Sequence, residues 1–237
     1  MSALHPFIPF LIGALLVAFS RGPLRAAIAL ATPLVGGYLL WQTPLGVPWQ
    51  LNLMGMELTP YRLDELNRVF GYIFHIAGFI AVLYALHVKD SLQQISGLIY
   101  AGSAIGAVFA GDLLSLFLFW ELLALSSVFL IWARRSERSF RAGQRYLIIQ
   151  VLSGVLLLGG ALLHYRDSGS LEFGQIGLVG LSGWLIFLAF GIKCAFPLLH
   201  NWLTDAYPEA TPTGTVFLSA FTNKVAVYAL ARGYPGT

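Results

Sequence analysis

The sequence predicts an all-α fold, a polytopic transmembrane bundle of about eight helices, on three observations. Hydrophobic residues make up 57% of the 237-residue chain and charged residues only 11%, against roughly 25% charged in soluble domains. The apolar residues fall in runs of the ~20 residues that a helix needs to cross a bilayer. The formal charge of +3 arises from basic residues gathered mainly in one loop rather than along an exposed face, which gives no nucleic-acid signal.

The spans read, in order, as 4–20, 24–41, 66–88, 91–110, 113–133, 142–164, 178–200 and 213–232. A cleavable signal carries positive charge before its apolar run. Here Arg21 and Arg25 follow the run, so the first segment reads as a permanent span. The second begins at Leu24, just after Arg21-Gly22-Pro23. Thr43 to Pro60, with Pro44 and Pro48, is the long extramembrane stretch and is expected to form a short hairpin. Gly102, Gly106 and Ala110 recur every four residues on the fourth span, a small-residue face suited to close helix packing. The chain divides into residues 1–90, three helices with the external hairpin, and residues 91–237, five helices.

Lys and Arg placement sets orientation, because inner loops carry the basic excess. With the N-terminus outside, the inner loops hold Arg21, Arg25, Lys89, Arg134, Arg135, Arg138, Arg141 and Arg145, against Arg62, Arg68, Arg166 and Arg232 outside. The run Arg134 to Arg145 dominates, and reads as a topology determinant ahead of a lipid- or partner-binding patch.

Three ionisable residues fall inside spans: Glu121, Lys193 and Lys224. Each charge at a helix centre costs ~2.5–3.5 kcal/mol on insertion scales, which makes function the default hypothesis. Structural roles compete with it. Glu121 can anchor one lysine, and a lysine near a helix end can snorkel. Snorkelling is easier for Lys193, seven residues from His200, than for Lys224, ~16 Å of helix from Thr213. One Glu cannot neutralise two lysines, and that surplus favours a lysine whose charge changes.

Pro197 bears on Lys193. Proline lacks the amide hydrogen that the carbonyl of residue 193 would accept, and its ring clashes with that turn. The seventh helix should therefore be discontinuous beside the lysine, an arrangement tolerated only against protein or a water-filled cavity. Transporters build ion sites this way, and a packing kink is the alternative. On the eighth span Thr213, Phe217, Ala220, Lys224 and Tyr228 share a face, either lining a hydrated path or satisfying backbone groups. His75, deep in span three, and His200, at a span end, are accessory candidates; a lone His in an apolar span is more often a packing residue. No facing histidines offer haem ligands. The single Cys194 excludes a disulfide framework. No phosphate loop, metal spacing or nucleophile–base motif occurs, so no cofactor, no metal and no catalytic chemistry of the chain's own is expected.

The stretch from Phe190-Gly191-Ile192-Lys193-Cys194-Ala195-Phe196-Pro197 through Trp202-Leu203-Thr204-Asp205-Ala206-Tyr207-Pro208-Glu209-Ala210 to Gly214 resembles a known signature. Asn223-Lys224-Val225-Ala226-Val227-Tyr228, Phe119-Trp120-Glu121-Leu122 and Gly111-Asp112-Leu113-Leu114 continue it. It is similar to the antiporter-like membrane subunits of respiratory complex I (NADH:quinone oxidoreductase) and of Mrp-type multisubunit cation/proton antiporters, most of all the Mrp-type D subunit. The resemblance covers most of the chain and is specific after about Ile99. It implies that Lys193 is the central proton carrier on a discontinuous helix, that Glu121 modulates its proton affinity, and that Lys224 passes protons along a hydrophilic axis. Asp205 falls within the signature and joins Thr213 among the accessory candidates. Family members have about fourteen helices with two inverted five-helix repeats; residues 91–237 correspond to the first, which implies a truncated product, a fragment or half of a split subunit.

The function expected is thus a proton-translocating subunit of a monovalent cation/proton antiporter, embedded in a bacterial inner (plasma) membrane and partnered by other membrane subunits. Protons, with Na+ or K+, are the expected ions. The alternatives are a pumping subunit of an NADH:quinone oxidoreductase or membrane hydrogenase complex, or a non-conducting remnant.

Overall fold

The computed structural model describes residues 4–53 and 55–236. Nine α-helices and one β-hairpin follow in chain order among them: α1 (Phe7–Phe19), α2 (Gly22–Gln42), β1 (Gly46–Leu53), β2 (Met56–Leu63), α3 (Glu65–Tyr84), α4 (Ser91–Phe109), α5 (Leu113–Trp132), α6 (Glu137–Ser168), α7 (Gly180–Cys194), α8 (Asn201–Ala206) and α9 (Pro212–Gly233). Six of the helices are long and apolar enough to cross a membrane, and α1 and α7 are shorter apolar helices. With α8 too short to cross, these eight correspond to the eight spans, and the chain is an integral membrane protein.

Each boundary has a local cause. Asp64, Asp112 and Ser136 cap α3, α5 and α6 by accepting the amide hydrogen three residues on, in the first turn, and Thr211 does so for α9 ahead of Pro212. Such caps satisfy amide groups that a helix start otherwise leaves open. Gly169 ends α6 with φ +72°, a left-handed geometry that glycine adopts without strain. The outer surface is greasy: Phe19, Ile148, Val179 and Leu181 are all more than 60% exposed. That pattern fits a chain whose solvent is hydrocarbon.

The bundle has two polar ends. At one, Arg135 reaches Asp90 at 3.2 Å, Arg138 reaches Glu209 at 3.0 Å, and Arg145 grips Asp205 with two hydrogen bonds of 2.7 and 2.8 Å. The eight basic residues assigned above to one side of the membrane all lie in the connections or helix turns of this end. At the other end the hairpin seats on the start of α5: Thr59 donates its amide to Asp112 at 2.8 Å, and Gly111 donates to the Thr59 carbonyl at 2.8 Å. His5 shares a hydrogen bond of 3.1 Å with the Pro60 carbonyl. Arg232, at the close of α9, grips Asp64 at 2.7 and 2.8 Å and donates from Nε to the Tyr228 hydroxyl oxygen at 2.6 Å. The hairpin itself has irregular register between Gly46 and Leu51, beside Pro48, which has no amide hydrogen to give to a ladder.

α4 is the hub. Gly102 lies against Phe10 of α1, Gly106 against Phe119 of α5, and, on another side of α4, Gly97 against Phe217 of α9, so α4 receives aromatic rings from three helices at its glycines. α7 packs between α6 and α9.

Candidate functional site

α7 is 15 residues long, which spans about 22 Å, less than the ~30 Å hydrocarbon core. Lys193 lies in its last turn, so the helix stops while still at membrane depth. Ala195 and Leu198 then take left-handed φ values of 60° and 71°, and Pro197 follows three residues after the last helical one. The chain turns through exposed Pro197 and His200 into α8. The break is tied down from outside the helix: the Ile192 carbonyl, which accepts the Ala195 amide at 3.1 Å, also accepts the Trp202 indole N–H at 2.9 Å. The Asn223 amide of α9 donates to the Cys194 carbonyl at 3.4 Å.

Lys193 is fully buried. Its ammonium donates to the Trp120 carbonyl at 3.3 Å and sits 4.7 Å from the Trp120 ring centroid. A cation over a desolvated indole gains about 2 kcal/mol, well short of the several kcal/mol that burying the ion costs. Trp120 is held in turn: its indole donates to Ser153 at 2.9 Å, and Ser153 donates to the Ala189 carbonyl at 2.7 Å. One serine on α6 therefore ties α5 to α7 at the depth of the lysine.

Glu121, the next residue on α5, feels the charge of Lys193, yet no carboxylate oxygen lies within the 4.0 Å of a salt bridge to Nζ. The carboxylate projects against Gly154 of α6, where any Cβ would collide with it. Its Oε1 is buried and without a hydrogen-bond partner. One turn along α6, Gln150 is fully buried with both amide atoms unpartnered. Polar groups without a protein partner are uncommon in native interiors. Beyond Gln150 the polar groups continue. Tyr146 and Ser127 share a hydrogen bond of 2.8 Å, Tyr100 hydrogen-bonds Thr222, and the Tyr207 hydroxyl donates to the Leu218 carbonyl at 2.9 Å.

The structure brings Glu121 and Lys193 together and places the other predicted residues apart. Lys224 is exposed; its ammonium bends back along α9 to the Ser219 carbonyl, five residues toward the basic end. The common face read for α9 therefore splits. Thr213, Phe217 and Tyr228 are buried, whereas Lys224 lies at the edge of the arc that α9 turns toward its neighbours. Thr213 hydrogen-bonds Gln93 of α4, as does Thr211 at 2.6 Å. His75 is buried between α3, α2 and α1, with Nδ1 hydrogen-bonded to the Gly71 carbonyl at 2.7 Å, Nε2 unpartnered and a Gly36 Cβ excluded by its ring. It does not reach the Glu121–Lys193 pair by any hydrogen bond. His200 is exposed beside α8, and Asp205 is spent on Arg145. Among the described residues no group of three His, Cys, Asp or Glu side chains could hold a metal.

Sequence reasoning passed over Gln150, Ser153 and Gly154. Single polar or small residues in an apolar helix are too ordinary to stand out, and only the α5–α6 contact reveals what they face.

Residues 110–235 match the model of the family described as NADH:quinone oxidoreductase/Mrp antiporter, transmembrane, a stretch that holds Trp120, Glu121, Gln150, Ser153, Gly154 and Lys193. The chain is 31% identical over 199 residues to the Na(+)/H(+) antiporter subunit A1 of Staphylococcus haemolyticus, covering 77% of this chain and 24% of that protein. It is 27% identical over 238 residues to the NADH-quinone oxidoreductase subunit M of Escherichia coli K12, covering 88% and 46%. Its fold superimposes with a TM-score of 0.82, at 27% identity, on a chain of the membrane-bound sulfane sulfur reductase, an archaeal respiratory membrane complex, covering 95% of this chain and 39% of that one. The chain thus spans a quarter to just under half the length of these curated relatives. By the match over more than half its length, the chain belongs to the NADH:quinone oxidoreductase/Mrp antiporter transmembrane family.

Proposed function

We propose that the chain is a proton-translocating subunit of a multisubunit monovalent cation/proton antiporter. The observation that carries the reading is Lys193: a fully buried ammonium at the end of a broken helix, held by one carbonyl and one ring, with a carboxylate near but not paired. A group so placed is poised to exist in either protonation state, because neither is fully compensated. Lys193 takes up a proton as Lys–NH3+ and releases it as Lys–NH2. Glu121 sets the balance through its charge, and Pro197 keeps the helix open beside the lysine. Lys224 receives the proton next, and His75, His200, Thr213 and Asp205 have at most accessory parts.

Residues 91–237 act as the translocating repeat of a larger assembly, with residues 1–90 packed beside it. Other membrane subunits or segments supply polar cover for Lys224, whose exposure within a span is otherwise costly. In this reading the basic end faces the cytoplasm of a bacterial cell and the N-terminus lies outside, an orientation that the excess of Lys and Arg supports. The Na(+)/H(+) antiporter subunit named above supports Na+, ahead of K+, as the counter-ion. The second reading, a pumping subunit of a quinone-linked respiratory complex, is favoured by the subunit M relative and the respiratory-complex structure.

The experiment is cation-dependent proton flux in vesicles carrying the chain with its partner subunits. Flux should fall at least tenfold in Lys193→Ala and in Glu121→Gln, and unchanged flux in both would remove these assignments. Co-purification with small antiporter subunits supports the first reading; co-purification with flavin or iron–sulfur subunits supports the second.

A further inference from the structure

At the basic end, away from the Glu121–Lys193 pair, the α1–α2 turn and the α3–α4 connection enclose a cavity of about 500 Å³. Arg21, Arg25 and Lys89 line it, and no carboxylate does. Asp90, which follows Lys89 in the chain, is already committed: it accepts from the Leu92 amide at 3.1 Å and pairs with Arg135 at 3.2 Å. Arg25 is not a loose surface side chain. Its Nε donates to the Ser20 carbonyl at 2.9 Å and its Nη1 to the Lys89 carbonyl at 3.1 Å, which clamps the two connections together and leaves Nη2 free. The first turn of α2 carries no side-chain cap, so its amide hydrogens add to the positive potential there.

Two further features narrow the ligand. Gln94 lines the cavity; its Nε2 donates to the Val88 carbonyl at 2.7 Å, while its Oε1 is buried and has no partner. An orphaned acceptor beside three cations asks for a ligand that is anionic and also carries a hydroxyl. The cavity also lies at the basic end of a membrane bundle, where anionic lipid headgroups gather. The void beneath it, lined by Ala29, Val82, Leu98 and Phe217, is only about 10 Å³, so the headgroup and not an acyl chain is what the cavity would hold.

We propose that this cavity binds the headgroup of an anionic phospholipid, with the phosphodiester held by Arg21, Arg25 and Lys89 and a glycerol hydroxyl donated to Gln94 Oε1. Phosphatidylglycerol has this chemistry. Basic pockets between membrane helices take acidic headgroups in this way, and each Lys or Arg near the surface contributes roughly a fivefold factor in affinity.

The test is native mass spectrometry of the purified full chain, delipidated and then titrated with phosphatidylglycerol, phosphatidylcholine or phosphatidylethanol in mixed micelles. Phosphatidylglycerol should bind at least tenfold more tightly than phosphatidylcholine. The double variant Arg21→Gln/Lys89→Gln should lower its affinity by about twenty-five-fold, two such factors. Arg166→Gln, at the opposite end, should leave binding unchanged and guards against general charge effects. Gln94→Leu should abolish the preference for phosphatidylglycerol over phosphatidylethanol, which lacks the glycerol hydroxyls, while keeping the preference for both over phosphatidylcholine. Equal binding of phosphatidylglycerol and phosphatidylcholine overturns the proposal, as does a double variant that folds and binds like the parent. Displacement by soluble glycerol 1-phosphate at concentrations equal to the lipid overturns the assignment to a lipid. None of these measurements depends on proton flux, so the site stands or falls apart from the transport reading.

Discussion

The carboxylate of Glu121 occupies the space that a side chain on Gly154 would fill. The glycine is therefore a constraint on where the acid can sit relative to Lys193. Gly154→Ala should push the carboxylate away and lower proton flux by about tenfold, while the gain of up to ~1 kcal/mol in helix propensity keeps the chain folded. Shortening the acid in the same background, Gly154→Ala with Glu121→Asp, should recover part of the flux. A double-variant cycle in which the two changes simply add would show that they act independently.

Lys193 should be worth more to transport than to folding. Replacing a buried charge with an apolar side chain of similar volume is often neutral or stabilising. Lys193→Met is expected to leave the thermal midpoint in detergent unchanged or raised, with flux reduced at least tenfold. Lys193→Arg should also lose flux, because a guanidinium does not release its proton in the working range.

His5 makes stability depend on pH in the acid range. Burial pulls its imidazole down to about 4, partly offset by the hydrogen bond to the Pro60 carbonyl. The folded state therefore binds fewer protons than the unfolded state between pH 6.5 and about 4. The stability is fully present above pH 6.5 and is lost as pH falls through that window. At 1.36 kcal/mol per unit the loss is about 3 kcal/mol. His5→Asn should flatten the profile of thermal midpoint against pH below 6.5; an unaltered slope would count against the assignment.

Asp205 titrates in the opposite sense. Its hydrogen bonds to Arg145 hold the carboxyl below its ordinary value, against a smaller upward push from burial. The contribution is present above the unfolded value near 3.9 and is lost as pH falls through the lowered folded value. The side chain is 38% exposed, so water screens the pair. Asp205→Asn should lower the midpoint at pH 7 by no more than about 3 °C, and α8 should become more accessible to proteolysis.

The spans are legible because crossing a bilayer demands long apolar runs, and that demand leaves little room for alternatives. Glu121 and Lys193 stand out for the same reason, as charges where hydrocarbon should be. The end of α7 at Cys194 is readable from Pro197, whose missing amide hydrogen cannot be hidden. Lys224 shows the limit. Helical spacing puts it on one face with Thr213 and Tyr228, but which part of that face is covered depends on how α9 rolls against α3, α4 and α7. The pairing of Trp202 with the Ile192 carbonyl, or of Ser153 with Trp120, joins segments whose separation carries no local signal.

Asp64 and Arg232 are 168 residues apart in the chain. At 5–20 residues per second, roughly 10–30 s separate the synthesis of the two. During that interval Asp64 has only its local partners, Arg62 at 3.5 Å and the Asn67 amide, and lacks the two-pronged grip of Arg232. The first helices to insert are therefore held at this end by local contacts until α9 arrives. Arg232 then acts as a closing bolt in time as well as in space. Its loss should be felt first as slow or failed assembly of nascent chains.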